Sequence, residues 1–445
     1  MIPAPAADLT GANPRRLDAV AVLTAYAVLL VGLPARLVVG PLGAAGSPAN
    51  IFAIGCLCWW VWDALRRRDP VTTPRPVRTM AGVLTLCVAM SYVVAMRRPI
   101  NGTEATTADI GLLSFAGWMG AMLLAHDGTP DLDRLHALIR RIAVLGGFLA
   151  GLGIVQFVTG LAIVDVIQIP GLVNNTVPLG VAERNGFNRP SGTAVHAIEF
   201  SVVVTMILPL AIVSARIEDG RGTIRRWLPV VLMVAAVPIA ISRSAIVGAL
   251  VGLVVILPAL PSAQRKLLIS GSAVAAVATF VSVPGLLGSV FGLFSGIGAD
   301  GSAQSRTNSY ALVGEYFARH PFFGRGFSTF LPAHRILDNQ YLGMLMDVGL
   351  VGLLAFLGLI LAGIGCGIAG RRRSAGARER ELGQALFASI SVGAVGFALF
   401  DGLSFPMTAG LLFLVIGLAG ALNRLVVPES PVPGTEVDLP ARTAG

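Results

Sequence analysis

Charge is scarce in this chain. Only 13 % of its 445 residues are Asp, Glu, Lys or Arg, against roughly 25 % in a soluble globular protein. With 55 % apolar residues and a mean hydropathy of +0.77, a water-soluble fold of this length is excluded. Cysteine is scarce too. Cys56, Cys58, Cys87 and Cys366 all lie in apolar runs, without metal-ligand spacing and outside any loop, which removes a disulfide framework and a zinc site. Lysine is nearly absent, and the almost exclusive use of arginine among 33 basic residues reads as a base-composition bias of the source genome. A cleavable leader is not expected either. Arg15 and Arg16 close a polar, Pro/Ala-rich segment and precede a span too long for a signal peptide, without a convincing cleavage site, so that span is expected to be retained.

Long apolar runs are abundant. About 20 apolar residues cross the hydrocarbon as a helix. On that basis spans are expected near 18–39, 48–64, 79–96, 108–125, 142–160, 197–215, 227–241, 244–260, 267–285, 339–369, 384–401 and 406–424. Every second loop is rich in arginine: 65–78, 126–141, 216–226, 261–266 and 370–383. The positive-inside rule then places both termini in the cytoplasm. The expected fold is an all-α integral membrane protein with about 12 transmembrane helices. It has a cytoplasmic tail at 1–17, a membrane domain at 18–425 and a disordered tail at 426–445. The net charge of +9 does not indicate nucleic acid, because the basic residues are loop anchors beside a lipid bilayer rather than one continuous surface.

By this placement 23 basic residues lie on the cytoplasmic side and ten on or near the other, several of them in Glu183–His196, Ser242–Ser244 and Arg306–Arg335. Trp227 to Leu260 is one apolar run, about 50 Å long as a single helix, whereas the hydrocarbon is about 30 Å thick. Basic pairs at both ends belong inside, so the chain must reverse at Ser242-Arg243-Ser244. The short arms should then recess Arg243 below the outer headgroups, at a cost of several kcal/mol unless it meets an anion or water. A snorkelling or structurally paired arginine is the plain alternative. The run 339–369 is about 45 Å long if helical throughout and should protrude or tilt. Asp338 stands at its outer mouth and Asp347 deeper.

Two outer loops are long, 161–196 and 286–338. The first delivers Arg184, Arg189 and His196 to the start of the sixth span. The second begins Gly-rich, as a strip suited to the membrane surface. It continues as an amphipathic helix from Ser305, a candidate N-cap, to His320. Gly324-Arg325-Gly326 then forms a turn whose glycines allow close backbone approach to a ligand.

Three pieces of this pattern resemble the O-antigen ligase and polymerase superfamily of envelope glycosyltransferases. They are Arg189-Pro-Ser-Gly-Thr-Ala-Val-His196, Ser242-Arg243-Ser244, and Arg306 through His320-Pro-Phe-Phe-Gly-Arg-Gly-Phe-Ser to Asp338-Asn-Gln-Tyr-Leu and Asp347-Val-Gly-Leu. The resemblance covers roughly 140–425 and rests on the order of the motifs and their shared outer face. It implies about a dozen spans and a large loop between the ninth and tenth. It also implies transfer of a glycan from a polyprenyl diphosphate carrier to a glycan, lipid or protein acceptor, without metal or other cofactor. Arg189 and Arg243 match arginines thought to hold the diphosphate, and Arg306 matches a further basic position. Where ligases carry His-Asn, this chain has Asp338-Asn339, so Asp338 and His334 compete as the base, and a polymerase stands level with a ligase.

Leaving-group charge calls for arginine's planar fork, and an acceptor hydroxyl calls for a proton acceptor. Asp338 has an alternative role as a helix N-cap. Asp347 is expected to face the bundle interior and pair with Arg243 or Arg189. His196 and Asn339 are candidates for substrate contact, and Arg325 for either substrate contact or a solvated turn. Arg97 and Arg98 suit headgroup anchors, and Asp401 suits a turn. A transporter is the competing class, although no internal repeat is present and the charges gather at one face instead of the midplane. An inactive assembly scaffold would leave the recessed Arg243 unexplained.

Overall fold

The computed structural model describes residues 18–66, 74–176, 180–184, 186–218, 222–295, 312–331 and 335–426. Apolar runs become helices because a helix satisfies its own backbone N–H and C=O groups where water cannot. In chain order they are α1 (Ala19–Gly32), α2 (Pro48–Arg66), α3 (Pro76–Arg97), α4 (Gly102–Gly128) and α5 (Leu132–Thr159). Next come α6 (Ala197–Ile217), α7 (Thr223–Ile239), α8 (Arg243–Ile256), α9 (Ser262–Ser282) and α10 (Leu286–Ser295). A short α11 (312–319) precedes α12 (Gln340–Arg373), α13 (Ala377–Phe397) and α14 (Pro406–Val426). Eight of them, α2 to α6, α9, α12 and α14, are long and apolar enough to cross a membrane. Two small antiparallel ladders lie in the loops: β1 (Leu37–Val38) with β2 (Val173–Asn174), and β3 (Ala182–Arg184) with β4 (Phe187–Arg189).

Several helices begin inside segments that hydropathy leaves as basic loops. α5 starts at Leu132, where Asp131 caps it by accepting the Arg134 N–H at 2.7 Å, so Arg134, Arg140 and Arg141 ride on the helix. Arg265 and Lys266 likewise sit on α9, and Arg371, Arg372 and Arg373 on α12. Arginine is a good helix former, and hydropathy reports only where the hydrocarbon begins. In the loop 286–338 the Gly-rich stretch expected at the membrane surface begins with the helix α10, and α11 supplies the later part of the expected amphipathic helix. Ser305 and Arg306 lie outside the described residues.

The interior is built around α6 and α14, whose apolar windows are 89 % and 83 % buried, whereas α9 is 0 % buried. Small residues bring helices together, as lipid-phase packing requires. A Cβ on Gly120 of α4, for example, would run into the Ala53 and Leu57 backbone of α2.

The reversal expected at 242–244 occurs at Ala240–Ser242, and Arg243 opens α8. Ile241 takes φ 43° there, a left-handed conformation that a β-branched residue rarely adopts. The tenth span differs from expectation. α12 is broken at Gly349 (φ 70°, ψ −171°) into 340–348 and 350–373. The segment Pro321–Gly326 lies in the break. Arg325 and Gly326 donate to the Met346 and Asp347 carbonyls at 2.8 and 2.9 Å, while Leu350 and Val351 donate to the Pro321 and Phe322 carbonyls at 2.8 and 3.2 Å. A Cβ on Gly324 or Gly349 would collide with the facing backbone. The glycines thus serve a contact within the chain, and no single 45 Å helix forms.

Candidate functional site

One end of the bundle gathers the starts of α6, α8, α12 and α14 with the β3–β4 hairpin. Glu199, fully buried in α6, ties two of these starts together. Its Oε1 accepts the Met407 and Thr408 N–H groups of α14 at 2.7 and 3.3 Å, and its Oε2 accepts Val195 N–H at 2.8 Å. Carboxylates suit helix N-termini, whose first N–H groups lack intrahelical partners.

The hairpin presents two arginines. β3 and β4 pair Ala182 with Arg189 and Arg184 with Phe187, around Gly186 at φ 79°. Arg189 Nε donates to the Ala240 carbonyl at 3.4 Å, which seats it on the α7–α8 turn, three residues before Arg243. Among the described residues Arg189 meets this carbonyl and the field of Arg184, and no carboxylate. Burial, and then Arg184, push its guanidinium down to about 10, so it is still cationic at pH 7. Ser242 precedes Arg243 without a side-chain cap, so the positive end of the α8 dipole adds to the same field. The α7–α8 turn is also coupled to α6, with Ser201 and Ser242 hydroxyls 3.4 Å apart.

His196 is the cap of α6. Its Nδ1 accepts Ile198 N–H at 3.1 Å, which fixes the neutral tautomer with hydrogen on Nε2. Burial, and then Arg189, push its pKa down to about 4. The ring lies 6.3 Å from Phe405, and Phe405 lies 5.3 Å from Phe400, beside Asp401.

The start of α12 faces that aromatic pair. Gln340 N–H donates to the Phe400 carbonyl at 3.2 Å and its Oε1 accepts Leu403 N–H at 2.8 Å. The cap of α12 is Asn339, whose Oδ1 accepts Tyr341 and Leu342 N–H at 3.0 and 3.3 Å. Capping is therefore not the role of Asp338. Asp338 sits at φ 48°, which Asp tolerates better than most residues, and its charge reaches Asp401. Burial, with repulsion from Asp338 as a smaller cause, raises the Asp401 carboxyl above its ordinary value. Asp401, assigned by sequence to a turn, does open the short helix Gly402–Ser404, and its carboxyl also feels the charge of Asp338.

Arg325 and Asp347 belong elsewhere. The Asp347 carboxylate accepts the Ser328 and Phe330 N–H groups at 3.0 and 3.1 Å, and Arg325 is the cation beside it, in place of the expected Arg243 or Arg189. Arg325 pairs with Glu104 and lies 5.7 Å over Tyr316. Arg98, expected as a headgroup anchor, pairs with the same Glu104 at 2.8 Å and donates to the Arg325 carbonyl at 3.1 Å. This second cluster fastens the distal limb of the large loop to α3, α4 and the break in α12. Sequence reasoning missed Glu104, Glu199 and the hairpin, although Asn185-Gly186 is a hairpin signature. Arg306 and His334 lie outside the described residues.

Two apolar cavities of about 360 and 470 Å³ run between α9 and the α6–α7–α8 wall. They share Ile212, Val234, Leu268 and Ser272, and Ile246 borders the first, one turn from Arg243.

Eight apolar helices around a mostly apolar interior, with an arginine group at one end, define a multi-pass membrane protein. Residues 228–357 match the family described as O-antigen ligase, from the start of α7 to the middle of α12. No curated protein matches the chain. The matched segment supports a protein of the O-antigen ligase/polymerase type, a family whose general activity is glycan transfer. The matched segment includes Arg243, Asp338 and Asp347 and excludes Arg189.

Proposed function

We propose that this protein transfers a glycan from a polyprenyl diphosphate carrier to an acceptor hydroxyl, as a ligase or polymerase, at the outer face of the cytoplasmic membrane. In this reading twelve helices span the bilayer with both termini cytoplasmic. The observation that carries the reading is the seating of Arg189, which meets no carboxylate among the described residues, on the turn that presents Arg243. Phe400 and Phe405 pack beside Asp401, whose carboxyl feels the charge of Asp338.

Arg184, Arg189 and Arg243 hold the diphosphate through their planar forks, and the α8 N-terminus reinforces them. Arg306 joins them on the strength of the resemblance. The polyprenyl chain lies in the cavities beside α9. The acceptor oxygen attacks the anomeric carbon as its proton passes to Asp338 or His334. The bond from that carbon to the diphosphate oxygen breaks, and its electron pair leaves on the diphosphate, where the guanidinium groups stabilise the charge. A single displacement inverts the anomeric configuration. The charge is met by side chains, so no metal is required.

The break in α12 does not favour a transporter, because Pro321–Gly326 fills it and leaves no solute site there. The test is reconstitution in proteoliposomes with a polyprenyl-diphosphate glycan and an acceptor. Product should form with chelator present, and Arg243→Ala should abolish it in folded protein. Loss of product on chelation, or a fully active Ala variant, refutes the mechanism.

A further inference from the structure

The opposite end of the bundle holds a second polar crevice that the glycan-transfer reading does not use. A cavity of about 260 Å³ opens between the start of α3, the last turns of α12 and the end of α14. Arg373 and Arg424 line it together with Asn423. Arg424 is anchored, its Nε donating to the His126 carbonyl at 3.2 Å and an Nη to the Thr129 carbonyl. Arg373 is exposed, and among the described residues it has no carboxylate partner. Its neighbour Arg371, by contrast, is tied to Gln384 and to the Pro258 carbonyl. Asn423 is only 8 % exposed, yet its side-chain oxygen has no hydrogen-bond partner. A buried amide in that condition normally has a ligand or water, and its two ends are exchangeable, so it can turn its NH₂ toward an acceptor. Ala362, Gly365 and Ala369 continue the crevice along α12 as a smooth apolar wall.

Two guanidinium groups, a buried amide and an apolar wall rising from them match a phosphodiester with hydrocarbon attached. We propose that this crevice binds the headgroup of an anionic phospholipid from the cytoplasmic leaflet. Arg373 and Arg424 take the phosphate, Asn423 donates to one of its oxygens, and an acyl chain lies along Ala362–Ala369. Basic pockets between helices on the cytoplasmic side are suited to such lipids. The site is remote from the arginines of the outer end and does not depend on their chemistry.

The full-length protein in detergent is titrated with phosphatidylglycerol or phosphatidylcholine, and bound lipid is counted by native mass spectrometry. Phosphatidylglycerol should be retained preferentially. Arg373→Gln should weaken that preference about fivefold, the loss expected for one surface cation. Asn423→Leu should weaken it in the same direction. Arg372→Gln removes the same charge from an exposed position that does not line the crevice, and should leave the preference unchanged. Equal retention of the two lipids, or an equal loss in Arg372→Gln and Arg373→Gln, overturns the proposal. So does an Arg373-dependent rise in melting temperature with inorganic phosphate alone when phosphatidylglycerol shows no preference, since the occupant is then a free anion. Glycan transfer by Arg373→Gln keeps the two readings separate, because the outer-face mechanism predicts normal turnover per folded molecule.

Discussion

At one end of the bundle Arg216, Arg140 and Arg378 each meet a carboxylate. Arg216 grips both oxygens of Glu381 at 2.9 and 2.7 Å, Arg140 reaches Glu218 at 3.3 Å and Arg378 reaches Asp133 at 2.7 Å. Arg75 and Arg78 share Asp127 at 2.9 and 3.3 Å. The other end divides its arginines. Arg36, Arg98 and Arg325 are consumed by Asp165 and Glu104 in holding loops, whereas Arg189 is held by a carbonyl beside a second arginine. Pairing that serves architecture cancels charge locally, and a site for a diphosphate needs charge left uncancelled. The contrast separates these paired arginines, which fix the fold, from Arg189, which waits for an anion.

The strongest way to break this contrast is to exchange the expected phenotypes of the two groups. Arg189→Ala should lower turnover by about 10²- to 10³-fold, as loss of a group aimed at developing charge does, with an unchanged melting temperature. Arg216→Ala should instead strand Glu381 and lower the melting temperature while turnover per folded molecule persists. If both variants lose stability and neither loses turnover selectively, Arg189 is architectural.

Asp338→Asn should reduce turnover about 10²-fold or more without unfolding, because Asn accepts the left-handed backbone and the helix cap is Asn339. Asn339→Ala should show the converse, costing about 1 kcal/mol of stability through the lost cap. Single-turnover kinetics and thermal melts on the same preparations distinguish them.

Within the loop-holding cluster, Gly349→Ala should displace Pro321–Gly326 from the break in α12, since the new Cβ meets the Phe322 backbone. Faster proteolysis of the large loop is the expected readout, and an unchanged cleavage pattern would show that the break tolerates a side chain.

The smallest effect concerns pH. His196 has its pKa lowered from 6.5 to about 4 by burial and then by Arg189, so the unfolded chain takes up this proton before the folded one. Its contribution to stability is complete above pH 6.5 and disappears as pH falls toward 4. His196→Asn, which can still cap α6, should flatten the melting temperature across that window. An unaltered pH profile would mean that the ring titrates freely.

Much of this site was legible residue by residue. The crowding of arginine away from the Arg-rich alternate loops singled out Arg184, Arg189 and Arg243 as candidates, and the length of the run 227–260 required the reversal that presents Arg243. The influence of Asp338 on Asp401 was not legible, because the two segments are joined by contacts such as Gln340 to Phe400 that no local pattern shows. Arg325 was misread for a related reason. Its flanking glycines signal close backbone approach, but sequence does not say that the approaching partner is the broken α12.

Hydropathy and the alternation of arginine follow from transfer free energies of single residues. The sequence by itself therefore determined that the chain is helical, lives in a bilayer and keeps charge scarce. Which arginines are neutralised and where α12 breaks depend on contacts between segments tens to hundreds of residues apart. Only packing could decide those, because an ion pair or a clash depends on distances of a few ångströms that no local pattern encodes.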